Sequence, residues 1–186
     1  MNASPHPGAV RLQRRRLLSL LAALPLGPLV ACGEAAAPDR AAAVPVEIDP
    51  ASSCDLDGML LADYPGPKAQ IHFAGDPRPH WYCDTVEMFS TLLRPEQQRP
   101  VRAVFVQDMG LADWEQPRGH WFEARDGFYV IGSRRHGSMG PTLASFRRLA
   151  DAQGFAQQQG GRVLRYAEVR PEMVDLSGGA LHDGRM

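Results

Sequence analysis

Ala69-Gln70-Ile71-His72-Phe73, Gly75-Asp76-Pro77-Arg78-Pro79 and His80-Trp81-Tyr82-Cys83 are the consecutive segments from which the fold is read. The first alternates in the manner of a half-buried strand, the second turns the chain back with Gly and Pro, and the third is a short aromatic strand. Together they make a hairpin. Asp84 follows as an N-cap with Glu87 three residues on, and Val86, Phe89, Leu92 and Leu93 mark one face of a helix that Pro95 ends. Val101 to Val106 is β-branched and alternates weakly, the pattern of a buried strand, with Gln107-Asp108-Met109-Gly110 as its exit turn. The order is strand, strand, helix, strand.

The same order recurs downstream. Gly127 to Gly132 reads as a strand, Arg134 to Gly137 as a loop, and Met139 to Phe146 as a second strand. A helix is expected from about Phe146 to Gln159, with Gly160-Gly161 at its C-cap, and Arg162 to Tyr166 closes the unit as a strand. The expected fold is therefore α+β: two tandem ββαβ units, at residues 47–110 and 111–176, with a glycine-rich, frayed tail at 177–186.

Working back to the N-terminus, residues 1–31 read as an export signal. Arg11, Arg14, Arg15 and Arg16 precede an apolar run from Leu17 to Val30 that is too short to cross a bilayer comfortably. Leu29-Val30-Ala31-Cys32-Gly33 has the form of a lipobox, so Cys32 is the expected lipidation site. Residues 32–46, rich in Ala and Pro, read as a flexible tether behind it. Gly33-Glu34, with no aspartate directly after the cysteine, favours the outer over the inner membrane, on the periplasmic face. The paired arginines also permit a twin-arginine route.

Removing the four leader charges from the formal net charge of −1 leaves −5 on the remainder. An acidic domain without a basic stripe is no binder of nucleic acid. With 44% hydrophobic and 22% charged residues the chain has enough apolar material for a globular core.

Chemistry concentrates at Cys54-Asp55-Leu56-Asp57-Gly58-Met59, where a thiol and a thioether flank a glycine turn. Soft sulfur donors favour Cu(I) over hard ions. The wider set of soft donors is Cys83, Met88, Met109, Met139 and Met173, with His72, His80, His120 and His136 as imidazoles. Met88 falls inside an amphipathic helix and reads as core, and Met173 has no neighbouring donor in sequence. Met59, Met109 and Met139 each adjoin a glycine in a turn, where core packing is a poorer explanation. Zinc spacing, phosphate loops and a serine nucleophile elbow are all missing. Two plainer readings stand beside copper: a Cys54–Cys83 disulfide in an oxidising compartment, and a cysteine nucleophile paired with a histidine.

The ordered motifs Cys54-Asp55-Leu56-Asp57-Gly58-Met59, Tyr64-Pro65-Gly66-Pro67-Lys68-Ala69-Gln70-Ile71, Val106-Gln107-Asp108-Met109-Gly110, Phe128-Tyr129-Val130-Ile131-Gly132-Ser133, Met139-Gly140-Pro141 and Gly160-Gly161-Arg162-Val163 resemble the NosL family of copper-binding lipoproteins. The resemblance covers nearly the whole domain. It implies the tandem ββαβ architecture (NosL/MerB-like, also found in an organomercurial lyase) and a non-catalytic Cu(I) carrier. The implied partners are nitrous oxide reductase and its membrane ABC-type maturation complex. Cys54, Met59 and Met109 are the expected ligands, with His72, His80 or Met139 completing the sphere. One departure stands out: many relatives carry Cys-Gly-Met, whereas here Asp55-Leu56-Asp57-Gly58 separates Cys54 from Met59. The alternatives are a cysteine-dependent hydrolase or lyase on the related fold, and a structural envelope lipoprotein that binds no metal.

Overall fold

The computed structural model describes residues 43–176. The expected leader, Cys32 and the tail at 177–186 lie outside the described residues, as does the tether up to residue 42. No helix among the described residues is long and apolar enough to cross a membrane.

The first unit runs β1 (Ala69–Phe73), β2 (His80–Tyr82), α1 (Thr85–Leu93) and β3 (Val101–Gln107), the order expected. β1 is central. It pairs antiparallel with β2, Ala69 opposite Tyr82, and with β3, Ala69 opposite Val106. A fourth strand, β4 (Trp121–Glu123), joins the free edge of β3, so the first sheet draws a strand from residues beyond 110. α1 begins where the Asp84 carboxylate accepts the Val86 amide at 2.9 Å, satisfying a donor that the helix leaves open. It ends at Arg94, which is extended because Pro95 follows.

The second unit comprises β5 (Phe128–Ile131), a tight hairpin of β6 (His136–Gly137) and β7 (Gly140–Pro141), β8 (Ala144–Phe146), α2 (Leu149–Gln159) and β9 (Arg162–Arg165). Its main sheet has the order β8-β5-β9, matching β2-β1-β3 in the first: the first strand of each unit is flanked by the second and third. The single strand expected from Met139 to Phe146 is divided: Gly140, at φ 94°, and Pro141 pair back onto β6, and β8 starts only at Ala144, after Thr142-Leu143. Phe146 accordingly ends a strand, and the helix expected from there begins three residues later.

A shared core fuses the two units. Ile71, Val104 and Val106 of the first sheet, Met88 and Phe89 of α1, and Tyr129, Leu143 and Leu164 of the second unit form one buried cluster. Phe89 meets Tyr129 edge to face at 4.9 Å. The sheets are also stitched at their ends, where Ser145 donates its hydroxyl to Gln107 O at 2.6 Å and Met109 N donates to Ser145 O at 2.9 Å.

Candidate metal centre

The Cys54 to Met59 turn folds over the start of α1. Cys54 N donates to Met59 O at 2.8 Å and Gly58 N to Cys54 O at 2.9 Å, with Gly58 at φ 81°, a backbone state that glycine adopts without strain. Asp55 fastens the turn to β2: its carboxylate accepts Trp81 N at 2.7 Å, and its own amide donates to Trp81 O at 2.8 Å. Asp57 accepts Met59 N at 3.0 Å, closing an Asx turn.

This fold-over carries Cys54 onto Cys83 and Glu87. Ligand atoms of Cys54, Asp57, Cys83 and Glu87 all lie within 4.8 Å of one another. Glu87 Oε2 is 3.3 Å from Cys54 Sγ, 3.1 Å from Cys83 Sγ, and accepts Cys83 N at 3.1 Å. Both cysteines are buried free thiols, so the alternative of a Cys54–Cys83 disulfide is not what the structure shows. Ile48, Leu61, Trp81 and the partly buried Met59 and Trp121 pack around them. Ser138, in the β6–β7 turn, donates to Cys83 O at 2.7 Å and reaches Cys83 Sγ at 3.3 Å.

Electrostatics divide the two thiols. Hydrogen bonds from the Cys83 thiol and from nearby amides, Leu56 N among them at 3.4 Å, hold the Cys54 thiol down to about 6 against its burial. Cys83 moves the other way, raised by that bond to Cys54, by burial and by the Glu87 charge. Burial and the neighbouring Cys54 push Glu87 up to about 8. Three acids in contact beneath an apolar roof do not all ionise together.

A buried cation lies behind the thiols. Lys68 is fully enclosed, and its Nζ donates to Pro65 O at 2.8 Å and Cys83 O at 3.0 Å. Desolvation draws its ammonium down to about 8, and the charges of Asp84, Cys83, Glu87 and Cys54 limit the fall. Asp84, held up to about 6 by burial, accepts Thr142 at 2.6 Å through Oδ1, while its buried Oδ2 has no partner.

The other expected donors are dispersed. Met109 packs with Trp114, Val130, Ala144, Phe146 and Ala152, an apolar cluster separate from the one around Cys54. The Asp108-Met109-Gly110 turn has a structural task there: Asp108 Oδ1 accepts Gly110 N at 3.0 Å and Arg147 N at 3.2 Å, tying the exit of β3 to β8. Met139 is exposed, one residue from Ser138. His72 Nε2 lies 2.9 Å from Gln70 Oε1, and its ring meets Phe105 edge-on. His80 has Asp76 at 2.6 Å on Nε2 and Asp55 at 3.4 Å on Nδ1, so carboxylates face both nitrogens. Met88 is core, as its helical position implied.

Two comparisons decide the family. The model of the NosL family matches residues 45–174. The chain is also 36% identical over 171 residues to the copper-binding lipoprotein NosL of Stutzerimonas stutzeri, spanning 89% of this chain and 88% of that one. The chain belongs to the NosL family. A second NosL, the copper-binding lipoprotein of Achromobacter cycloclastes, is 37% identical over 165 residues, covering 87% of this chain and 84% of its own. The crystal structure of the copper chaperone NosL from Shewanella denitrificans superposes with a TM-score of 0.67 at 36% identity, over 69% of this chain and 97% of that one. The α+β fold is thus a NosL fold.

Within that frame, sequence reading placed Cys83 among the soft donors but left it out of the expected ligand set, because its disulfide with Cys54 was the plainer use for it. It missed Glu87 because an acid three residues after an N-cap reads as a helix cap. One signal was available. Cys83 and Glu87 stand four apart across a helix start, a spacing that puts thiol and carboxyl on one side.

Proposed function

We propose that this chain carries Cu(I), as its NosL relatives are named for copper binding, and that Cys54 and Cys83 are the principal ligands. One observation carries the reading: two buried free thiols converge within 4.8 Å of each other beneath Met59. Thiolate pairs suit Cu(I), and two suffice for a low-coordinate ion. The Met59 thioether at the rim is the neutral, easily displaced third donor. Met109 is an outer candidate, since it belongs to the other cluster.

The chain's own groups would do the following. Cys54, the more acidic thiol, receives the ion first. Cys83 then gives up its proton to solvent as its sulfur takes the ion, while Glu87, in contact with both sulfurs, keeps its own proton beside them. The exposed turn residues Leu56 and Leu60 leave one side of the centre open to an acceptor, whose soft ligands enter before these leave. Exchange replaces dissociation, and free copper is avoided. We further propose a lipid anchor on Cys32, a periplasmic-face position favouring the outer membrane, and delivery to the maturation machinery of nitrous oxide reductase. The role is that of a carrier and not a catalyst.

Titration of the reduced domain against a chromogenic Cu(I) competitor tests the site. One Cu(I) per chain is expected, with affinity falling at least about 100-fold in Cys54→Ser and in Cys83→Ser and little changed in Met109→Leu. Equal affinity in all four proteins overturns the assignment, and a Met109→Leu loss as large as the cysteine losses returns Met109 to the coordination sphere. A cysteine-dependent lyase or hydrolase is the second reading, favoured by the acidic Cys54 thiol beside the proton-holding Glu87. It requires metal-free turnover that Cys54→Ser abolishes.

A further inference from the structure

The observation that reaches furthest is the lysine enclosed behind the thiols. Lys68 is fully buried, yet it makes no ion pair of salt-bridge length with any described residue, only the bonds to the carbonyls of Pro65 and Cys83. Enclosing an ammonium is costly, and a fold that needed only to join those carbonyls has cheaper donors. Its main-chain bonds are already made, since its N donates to Gln107 Oε1 at 3.1 Å and its O accepts Gln107 N at 3.3 Å. The charge itself therefore calls for a purpose, and that purpose follows from charge counting at the centre. Two thiolates with one monovalent ion carry one net negative charge. The same two thiolates with a divalent ion carry none.

We propose that Lys68 is a specificity-determining residue of the centre: its enclosed positive charge, fixed to the carbonyl of Cys83, favours a monovalent over a divalent soft-metal ion at the Cys54–Cys83 pair. This deepens the copper-carrier reading and rests on it. The preference does not depend on how many protons the empty centre holds, because it compares only the two loaded forms, which differ by one charge beside a fixed cation. Asp84 and Glu87 are the acidic neighbours of the ammonium, and their fields oppose it.

The test is the ratio of Cu(I) to Zn(II) affinity, each read by competition with a chromogenic chelator on the reduced domain at one pH. Lys68→Gln is the informative variant, because its amide still donates to a carbonyl while the charge is gone. The Cu(I):Zn(II) ratio should fall by about tenfold or more in Lys68→Gln and in Lys68→Met, and Lys68→Arg should restore much of it. Equal losses for both ions, or an unchanged ratio, would mean that Lys68 only supports the fold, and would overturn the proposal. Should a neutral residue at 68 prevent folding, Asp84→Asn reads the same field with the opposite sign and should raise the ratio; no movement there overturns the proposal too. Failure of the wild type to bind Cu(I) at all would instead sink the carrier reading.

Discussion

At the junction of β2 and α1 the chain reads Cys83-Asp84-Thr85-Val86-Glu87, and at the topologically equivalent junction of β8 and α2 it reads Arg147-Arg148-Leu149-Ala150-Asp151. The first five residues are all buried, whereas the first four of the second set are exposed. Both place an acid at the same helical position. Asp151 spends its carboxylate on Arg148, at 2.8 Å on the surface, while Glu87 lies against two thiols. The ββαβ unit alone therefore does not make the centre. What makes it is the cover supplied by the Cys54–Met59 turn on one side and the β6–β7 hairpin on the other, which exclude water from one junction, whereas the Asp108–Gly110 turn that meets the other at Arg147 and Asp151 leaves residues 147–150 exposed.

The sharpest way to break the difference is to lift that cover. A Cβ on Gly137 would overlap Asp84 Oδ2 and come 3.0 Å from Thr142 Cβ, so Gly137→Ala should cost about 2–4 kcal/mol in urea unfolding. In the open unit the same change has the opposite sign: Gly154, inside α2 with nothing within 4 Å of an added Cβ, should give about 0.5–1 kcal/mol of stabilisation as Gly154→Ala. A destabilised Gly154→Ala, or a neutral Gly137→Ala, would erase the distinction.

A comparable effect is expected from pH. Burial raises Asp84 to about 6 and Glu87 to about 8, so the folded protein keeps protons that the unfolded chain has already shed. The stability these two protons supply to the metal-free domain is fully present below the ordinary carboxylate range and is lost as pH rises, through about 6 for Asp84 and about 8 for Glu87, at a cost on the order of a few kcal/mol. Above about 6 the Cys54 thiol works against the trend, because the folded state sheds that proton before the unfolded chain does. Asp84→Asn and Glu87→Gln should each flatten the lower limb of the curve. An unchanged slope in both would mean that neither carboxyl holds its proton.

The smallest effect belongs to the exposed junction. Removing the ion pair with Arg148→Ala should change stability by less than about 0.5 kcal/mol, as fits a guanidinium with 71% of its side chain exposed. A loss above about 1 kcal/mol would show that the second junction is also tightly organised.

These contrasts explain which parts of the molecule were legible beforehand. β1, β2, α1 and β3 could be read in order because each signal is local: a period of two in Ala69–Phe73, a capping Asp84, a stopping Pro95. The hairpin at 136–141 was not separated from β8, since Gly140-Pro141-Thr142 interrupts an apolar run too briefly to register as two strands. The centre was half legible. Cys54 and Met59 advertise themselves as soft donors in a turn, but which residues meet them depends on how that turn lies across α1. That arrangement is fixed by Asp55 bonding to Trp81, a contact between residues 26 positions apart that no periodicity encodes. Met109, expected as a ligand, sits in the other cluster for the reverse reason. A methionine in a turn looks free of packing until the second sheet, present only in three dimensions, is seen to lie against it.

The three tryptophans are shared unequally between the two regions. Trp81 and Trp121 stand 5.9 Å apart in the cluster that surrounds the cysteines, whereas Trp114 stacks on Phe155 at 5.4 Å in the cluster of Met109. The protein thus carries its own optical gauge. If the two sulfurs hold copper as proposed, indole emission from the first pair should change on loading while Trp114 supplies an internal reference, so with Trp114→Phe and Trp121→Phe variants binding can be watched by light alone, with no added dye to compete for the metal.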